Sequence, residues 1–287
     1  MIFSRLIGGL GNQMFQYAAG RSLAIVNNCE LKLDISGFEN YSLHNGYELD
    51  LFDIRADIAS AKEISRLVTS QSRLSRFLYR KLNIKKKTHF IEKAFIFDAN
   101  FFDVKQPVYI DGYWQSYKYF ESIELQLRQE LSLKKPFSNI NLQIAEQISN
   151  VNAVSIHIRR GDYVSNKHTN SVHGVCSLDY YRAAIEAVSA RVENPVFFVF
   201  SDDISWVKNN LAIDLQCIFI DHNVGGQSYN DMYLMRLCQH HIIANSSFSW
   251  WGAWLGINPN KIVIAPKQWF TNDTVTDDLI PSSWLRL

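Results

Sequence analysis

The second half of the chain alternates short runs of β-branched or aromatic residues with segments whose apolar residues recur at helical spacing. Steps of roughly 20 to 40 residues from strand to helix to strand predict right-handed βαβ units and a parallel sheet. The predicted strands are residues 153–158, 196–200, 217–220, 241–244 and 262–265. This pattern indicates one doubly wound α/β domain.

The first half of the chain begins in the same way and then becomes less regular. Its predicted strands are residues 2–7, 30–34 and 108–114, and its predicted helices are residues 14–26, 60–82 and 120–131. A glycine turn over 8–12 joins the first strand to the first helix. The polar stretch 134–141, which contains Pro136, is the best candidate linker. We therefore predict domains over 1–140 and 141–287, and leave open whether the last residues pack back on the first domain.

The composition is that of a globular protein rather than a disordered or fibrous one. The 287 residues exceed one typical domain, and 47% of them are hydrophobic against 20% charged. The longest apolar stretches are far shorter than the roughly 20 residues that cross a bilayer, and the N-terminus lacks a signal-peptide pattern. Four scattered cysteines without a CxxC pair argue against structural disulfides and structural metal. We expect a cytoplasmic protein.

The net charge of +1 conceals one basic segment. Residues 62–87 contain nine Lys or Arg and one acid, Glu63, which gives this segment a net charge of +8. The commoner interpretation is the solvated outer face of an amphipathic helix. The other is peripheral contact with an anionic inner-membrane surface, which attracts such clusters. We expect no nucleic-acid partner.

The most informative motif is HIRRGDY at residues 157–163, where a predicted strand ends and a loop begins. The carboxyl ends of strands form the ligand crevice of an open α/β sheet. Alternate side chains share a face of a strand, so His157 and Arg159 point one way while Arg160 points the other. A guanidinium binds phosphate oxygens bidentately and stays charged, which suits an anionic leaving group without a metal. The alternative is a structural Arg–Asp ion pair.

A second motif, ANSSFSWWGAWL at residues 244–255, follows the end of another predicted strand. Ser246 and Ser247 stand where a helix begins, so their hydroxyls and the unpaired N–H groups of the first turn favour a phosphate site. Ordinary N-capping is the alternative for the serines. For the three tryptophans of this motif, core packing is favoured over stacking on a ligand.

Two acids, Asp202 and Asp203, follow the predicted strand over 196–200. Consecutive extended residues point to opposite faces, so a divalent metal would need further oxygen ligands that the sequence does not place. N-capping of a helix over 204–211 by one of these acids is the alternative. The predicted site contains no metal.

The glycine loop GGLGNQM at residues 8–14 follows a strand and precedes a helix, and Asp34 ends the next strand. A dinucleotide-binding loop has this layout, so an NAD-dependent oxidoreductase using Gly9 and Asp34 is one alternative function. The pattern fails at its last position, where Met14 stands in place of a small residue. The glycines otherwise let the backbone approach a substrate closely.

Together these motifs closely resemble those of bacterial α-1,2-fucosyltransferases of glycosyltransferase family 11. The resemblance spans nearly the whole chain and is weakest over residues 38–105. It rests on GGLGNQMFQYA at 8–18, HIRRGDY at 157–163, SDD at 201–203 and NSSFSWWGAW at 245–254. It implies the GT-B architecture, in which two Rossmann-like α/β domains face each other across a cleft. The C-terminal domain would bind GDP-fucose and the N-terminal domain the acceptor.

The resemblance also assigns roles to single residues. It implies that Arg159 holds the β-phosphate, that His157 lies near the nucleoside and that Asp231 contacts the guanine. The full donor-binding set that it implies is His157, Arg159, Asp202, Asp231, Asn245, Ser246 and Ser247. Asn12 corresponds to an Asn that approaches the reacting sugar in related protein O-fucosyltransferases. Arg159 and Asn12 are therefore the expected catalytic residues.

The reaction that the resemblance implies is transfer of L-fucose from GDP-β-L-fucose to the 2-hydroxyl of a terminal galactose in a β-galactoside, with inversion to an α linkage. Arg159 and the helix N-terminus would stabilise the departing diphosphate, so neither a metal nor another cofactor is expected. A base near the acceptor hydroxyl would assist the transfer, and the sequence does not identify it. A non-catalytic carbohydrate-binding protein using the tryptophans is the other alternative, although it has no need of residues 157–162.

Overall fold

The computed structural model describes residues 1–39, 44–68 and 88–287. It divides the chain into two compact units. Unit 1 is Met1–Lys134 with Val275–Leu279, and unit 2 is Lys135–Thr274 with Ile280–Leu287. Each unit contains one parallel sheet. The predicted α/β class with two Rossmann-like domains is confirmed.

The predicted domains, 1–140 and 141–287, differ from these units in two places. Residues 135–140 belong to unit 2, and Val275–Leu279 belongs to unit 1. Of the basic segment 62–87, residues 69–87 lie outside the described part of the chain.

Unit 1 is built on a five-stranded parallel sheet. Its strands are β1 Ile2–Arg5, β2 Leu31–Asp34, β3 Asp57–Ile58, β4 His89–Ile91 and β5 Val108–Asp111. Its described α-helices are α1 Leu10–Val26, α2 Ala61–Leu67 and α3 Glu124–Glu130. Its short 3₁₀ helices are Ser36–Phe38, Leu49–Leu51, Ala99–Asp103, Tyr117–Tyr119 and Glu121–Ile123. The strand order β3-β2-β1-β5-β4 reverses its direction next to β1, so the carboxyl ends of β1 and β5 flank the point where a ligand crevice is expected.

Helix α1 is buried on nearly all sides because it packs directly on this sheet. Ser4 Oγ of β1 donates to Gln16 O at 2.9 Å, and the backbone N–H of Ile7 donates to Gln16 Oε1 at 2.9 Å. These hydrogen bonds fix the position of the helix relative to the carboxyl end of β1.

Unit 2 is built on a six-stranded parallel sheet. Its strands are β6 Asn152–Ile158, β7 Pro195–Ser201, β8 Cys217–Ile220, β9 His240–Ile242, β10 Val263–Ala265 and β11 Leu285–Arg286. Its α-helices are α4 Asn139–Ser149, α5 Gly161–Ser165, α6 Lys167–His173, α7 Leu178–Ser189, α8 Ile204–Asn210, α9 Tyr229–Leu237 and α10 Ser247–Leu255, with a 3₁₀ turn at Gly225–Gln227. The strand order β11-β10-β9-β6-β7-β8 is that of a dinucleotide-binding Rossmann fold. Its switch point lies between β6 and β9.

The tryptophans of α10 belong to the core of unit 2. Trp250 and Trp251 are fully buried and Trp254 is 6% exposed, which confirms the predicted core packing. The rings of Trp250 and Trp254 stack with centroids 5.9 Å apart. Lys261 Nζ donates to Ala253 O at 2.8 Å and thereby closes the C-terminus of this helix.

Several helix boundaries differ from the sequence prediction. Helix α1 begins at Leu10 rather than at Met14, because Gly9 already adopts the extended N-cap conformation. Helix α2 ends at Leu67 because Val68 is extended. Helix α4 begins at Asn139, inside the predicted linker. Among the described helices, none has the length and apolar character needed to cross a bilayer.

Candidate active site

The two arginines of the HIRRGDY motif follow β6 and engage different acids. Arg159 Nη1 lies 2.9 Å from Asp202 Oδ2, whereas Arg160 Nε lies 3.3 Å from Asp203 Oδ2. Arg160 also places its guanidinium 3.5 Å from the ring centroid of Trp206. Strand β6 ends at Ile158, before both arginines, so their opposite orientation stays a prediction. The Arg–Asp pairing considered as the alternative is present for both.

The two acids after β7 connect neighbouring strand ends. Asp202 Oδ1 accepts the backbone N–H of Arg160 at 2.8 Å in addition to its bond with Arg159. Asp203 is the N-cap of α8 and accepts the backbone N–H of Trp206 at 3.2 Å. The N-capping interpretation is therefore confirmed for Asp203, while Asp202 holds the loop after β6.

His157 lies in the interior of unit 2 near the end of β6. It is 4% exposed, and its ring lies 5.6 Å from that of Phe248 on α10. The pKa of His157 is lowered to about 4, chiefly by burial; the charge of Asp202 opposes this shift and that of Arg159 contributes to it. The imidazole is thus neutral at physiological pH. Among the described residues its Nδ1 is buried without a hydrogen-bond partner.

Helix α10 begins at the other side of the switch point. Ser246 is its N-cap, and its Oγ accepts the backbone N–H of Phe248 at 3.3 Å. N-capping is therefore confirmed for this serine. Ser247, the first residue of the helix, is partly exposed. Because the first N–H groups of a helix lack intrahelical acceptors and the N-terminus carries partial positive charge, this end of α10 is suited to an anion.

Asn245 has a different environment from the serines that follow it. Its Nδ2 donates to His173 O at 2.7 Å and to Trp269 O at 3.2 Å, and its Oδ1 accepts from Cys176 Sγ at 3.4 Å. The residue is 2% exposed. Both polar atoms of its side chain are hydrogen-bonded to other segments of unit 2, so Asn245 positions the start of α10.

Asp231 lies in the first turn of α9 within a buried network of amides. Asn223 Nδ2 donates to Asp231 Oδ1 at 2.8 Å and also to Asn141 Oδ1 at 3.0 Å. Asn141 Nδ2 returns a bond to Asn223 Oδ1 at 2.9 Å, and its Oδ1 lies 2.7 Å from His222 Nε2. Burial raises the pKa of Asp231 to about 7, although the bond from Asn223 opposes this. Sequence reasoning missed the amides that hold this carboxylate.

Asn12 lies at the switch point of unit 1, in the first turn of α1. Its Oδ1 accepts from Gln115 Nε2 at 2.8 Å, and Gln115 follows β5. Gly8 has a φ of 81° and leaves space for the Asn12 amide, because a Cβ at this position would lie 2.6 Å from Asn12 Nδ2. The predicted loop residue is therefore a helical one, held by the strand end beside it.

Asp34, which the NAD alternative requires, is occupied inside unit 1. It is 4% exposed, its Oδ2 accepts from Tyr109 OH at 2.6 Å and its Oδ1 accepts from the backbone N–H of Ser36 at 3.0 Å. A ribose-binding acid must present its carboxylate to the ligand. This arrangement does not fit that role.

A Rossmann-type sheet whose switch point carries an arginine, a buried imidazole and a helix N-terminus has the layout of a nucleotide-binding α/β enzyme. The model of the family described as Glycosyl transferase family 11 matches residues 3–286, and the chain belongs to this family. It is a glycosyltransferase, which confirms the resemblance drawn from the four motifs.

Two relatives match over the full chain. A protein of Escherichia coli named alpha-1,2-colitosyltransferase is 38% identical over 303 residues, covering 100% of this chain and 99% of its own. The Escherichia coli O-antigen biosynthesis glycosyltransferase WbnK is 32% identical over 311 residues, covering 100% of both. Among solved structures, the fucosyltransferase NodZ from Bradyrhizobium matches with a TM-score of 0.53 and 14% identity, covering 88% of this chain and 91% of its own. A second NodZ structure was soaked with GDP-fucose. At this identity the likeness shows the fold alone.

Proposed function

We propose that this protein transfers L-fucose from GDP-β-L-fucose to the 2-hydroxyl of a terminal galactose, with inversion to an α linkage. The observation that carries the proposal is the switch point of unit 2, where Arg159, the imidazole of His157 and the N-terminus of α10 stand on neighbouring strand ends. The soaked NodZ structure supports GDP-fucose as the donor, and the linkage in the name of the colitosyltransferase supports the 2-hydroxyl as the acceptor. The resemblance of the motifs supports galactose.

Stabilisation of the diphosphate is the main electrostatic task of this reaction, because fucose departs as an oxocarbenium-like species while negative charge gathers on the leaving group. Arg159 provides a permanent positive charge and a planar fork for phosphate oxygens. Ser246 and Ser247 at the N-terminus of α10 provide N–H groups and a hydroxyl. We propose that these groups replace a metal, so transfer is expected to persist in excess EDTA. Loss of activity that manganese restores would contradict this part of the proposal.

The nucleoside is proposed to bind His157 and Asp231. A carboxylate accepts from the guanine N1–H and exocyclic amine, donors that adenine does not present in this arrangement. The neutral imidazole of His157 offers one unpartnered nitrogen. Asp202 and Asn245 support the site indirectly, since Asp202 holds Arg159 and Asn245 anchors the helix start.

The acceptor is proposed to bind unit 1, with Asn12 close to the reacting sugar. The bond from Gln115 fixes the Asn12 carbonyl oxygen and leaves the amide nitrogen beside Gly8. A cytoplasmic location and a peripheral contact of residues 62–87 with anionic membranes stay predictions from the sequence.

A second donor deserves the same test because of the 38% identical colitosyltransferase. Colitose is L-fucose without its 3-hydroxyl, so the two sugars differ by a single polar group. A site built to bond a hydroxyl rejects an analogue that lacks it far more strongly than an apolar site rejects the added hydroxyl.

The deciding experiment supplies the purified protein with GDP-fucose or GDP-colitose and a panel of β-galactosides, and determines the product linkage by NMR. Formation of an α-1,2-fucosyl galactoside with the higher kcat/KM for GDP-fucose is the expected result. A preference for GDP-colitose would change the donor and retain the enzyme class. Transfer of neither sugar to any galactoside would contradict the proposed function.

A further inference from the structure

A carboxylate is fixed at the carboxyl edge of the unit 1 sheet. Glu92 directly follows β4, and its side chain lies across the turn that follows β5. Glu92 Oε2 accepts the backbone N–H of Tyr113 at 2.6 Å, and Oε1 accepts that of Trp114 at 3.0 Å. Gly112 makes this position accessible, because a Cβ there would lie 2.3 Å from Glu92 Cβ. Any larger residue at 112 would displace the carboxylate.

This edge carries two acids whose surroundings differ. Asp111 lies 2.9 Å from Arg5 Nη1 and 3.4 Å from His89 Nε2. Burial alone would raise the pKa of Asp111, but the bonds from His89 and Arg5 outweigh it and the pKa is lowered. Asp111 is therefore a permanently charged partner of these two side chains.

Glu92 has no such partner: within the described residues no Lys, Arg or His forms an ion pair with it. The pKa of Glu92 is raised to about 7, chiefly by burial; the two backbone bonds oppose this shift, and the negative charge of Asp111 contributes to it. The other titratable groups whose charge couples to Glu92 are the phenols of Tyr113 and Tyr119. A pair of acids with pKa values driven apart is typical of sites where one acid exchanges protons at neutral pH.

The same turn connects Glu92 to Asn12. Trp114 adopts a φ of 55°, and Gln115 comes next and donates to Asn12 Oδ1 at 2.8 Å. The turn is therefore hydrogen-bonded to Glu92 through the N–H of Trp114 and to Asn12 through the side chain of Gln115. This arrangement lies beside the switch point of unit 1. Glu92 is partly exposed, and each of its carboxylate oxygens can accept a second hydrogen bond, for example from a hydroxyl.

We propose that Glu92 is the general base of the transfer, taking the proton of the acceptor 2-hydroxyl. This inference rests on the proposed function. As the acceptor oxygen bonds to C1 of the sugar, its proton passes to the Glu92 carboxylate and the bond from C1 to the β-phosphate oxygen breaks. The electron pair of that bond leaves with GDP, and Glu92 then returns the proton to water. A base at this position is worth roughly 10² to 10⁴ in rate.

The wild-type enzyme gives the first test. A base must be ionised, so kcat measured at saturating GDP-fucose is expected to fall about tenfold for each pH unit below about 7 and to reach a plateau above it. A rate that is flat from pH 5.5 to 8.5 would overturn the assignment. Absence of transfer at every pH would contradict the proposed function itself.

Three variants separate catalysis from structure. Glu92→Gln is expected to lower kcat at the alkaline plateau by roughly 10² to 10⁴ and to remove the acidic limb of the pH profile. Its affinity for GDP, measured by calorimetry, should stay within twofold, which also reports that the variant is folded. Glu92→Asp retains a carboxylate and should keep the acidic limb at a reduced kcat. Glu121→Gln, which neutralises an exposed acid of the same unit, should match wild type.

Two results with active wild-type enzyme would overturn the proposal. One is a Glu92→Gln variant with the wild-type plateau rate, which would show that no proton passes through this side chain. The other is a slow Glu92→Gln variant that keeps the wild-type acidic limb, because Glu92 would then only hold the turn while another group titrates.

Discussion

Arg159 and Asp202 form an ion pair in which Nη1 lies 2.9 Å from Oδ2. Both side chains are about a quarter exposed, so the pair is neither a solvated surface contact nor a fully buried one. The second oxygen of Asp202 accepts the N–H of Arg160. The acid therefore holds the arginine at the carboxyl end of β6.

Replacing each arginine of the motif should therefore affect a different property of the protein. Arg159→Ala should lower kcat by roughly 10² to 10³, the range for removing one preorganised charge-stabilising donor. Arg160→Ala removes the contact with Trp206 and the bond to Asp203, so it should chiefly lower the free energy of unfolding. Steady-state kinetics and urea unfolding of both variants check this. A stable Arg160→Ala with the larger loss of kcat would contradict it.

Much of the fold follows from apolar runs in the sequence. The long central strands β6 and β7 were predicted to within one residue at each end, because buried parallel strands are continuous apolar runs. The short strands β3, β4 and β11 were missed, because two or three residues are too few to show an alternation of hydrophobic and polar positions. The start of α1 was placed too late because Gly9 looks like a turn residue and acts as an N-cap.

The sequence predicts those residues of the candidate site that directly follow a strand. It does not predict residues whose place depends on contacts with distant parts of the chain. Arg159 and Ser246 follow apolar runs that mark the carboxyl edge of a sheet. Asn141 and Asn223 pair across 82 positions, and no local pattern indicates such a contact. Glu92 shows no signal in the sequence either, because its surroundings come from a turn after another strand.

The pH dependence of GDP binding should report on Asp231. The pKa of this acid is about 7 in the free protein, and guanine donors require the ionised carboxylate. The protonated form predominates below this pKa, so the Kd for GDP should rise by up to tenfold per pH unit as the pH falls from 7 to 5.5. Asp231→Asn should bind GDP weakly at every pH, with a flat profile. Calorimetry at several pH values measures both, and an equally flat wild-type profile would remove Asp231 from the site.

The stability of the protein in mild acid should depend on His157. Its pKa is about 4 when folded and about 6.5 when unfolded, so the folded state binds fewer protons between these values. The stability that neutral His157 contributes is therefore complete above pH 6.5 and declines as the pH falls towards 4. His157→Phe retains a ring without a titrating nitrogen and should lose less stability between pH 7.5 and 5. Urea unfolding at the two pH values gives the comparison, and equal losses in both proteins would contradict it.

His157→Phe should also weaken GDP binding by roughly threefold to tenfold, the value of one hydrogen bond to the Nδ1 atom. The reduction should be the same at pH 6 and pH 8, since the imidazole is neutral at both. Unchanged affinity would place the nucleoside elsewhere.

Asn245 and Ser247 stand two positions apart, but replacing them should affect different properties: stability for Asn245 and GDP binding for Ser247. Asn245→Ala leaves the carbonyls of His173 and Trp269 without their donor in a buried position, so it should lower the free energy of unfolding by about 1 to 3 kcal/mol. Ser247→Ala removes a partly exposed hydroxyl at the N-terminus of α10, so it should leave stability nearly unchanged and weaken GDP binding. Urea unfolding and calorimetry on both variants compare the two effects directly. An Asn245→Ala variant with wild-type stability and much weaker GDP binding would instead mean that its side chain contacts the donor, and that the bonds to His173 and Trp269 are exchanged for the ligand.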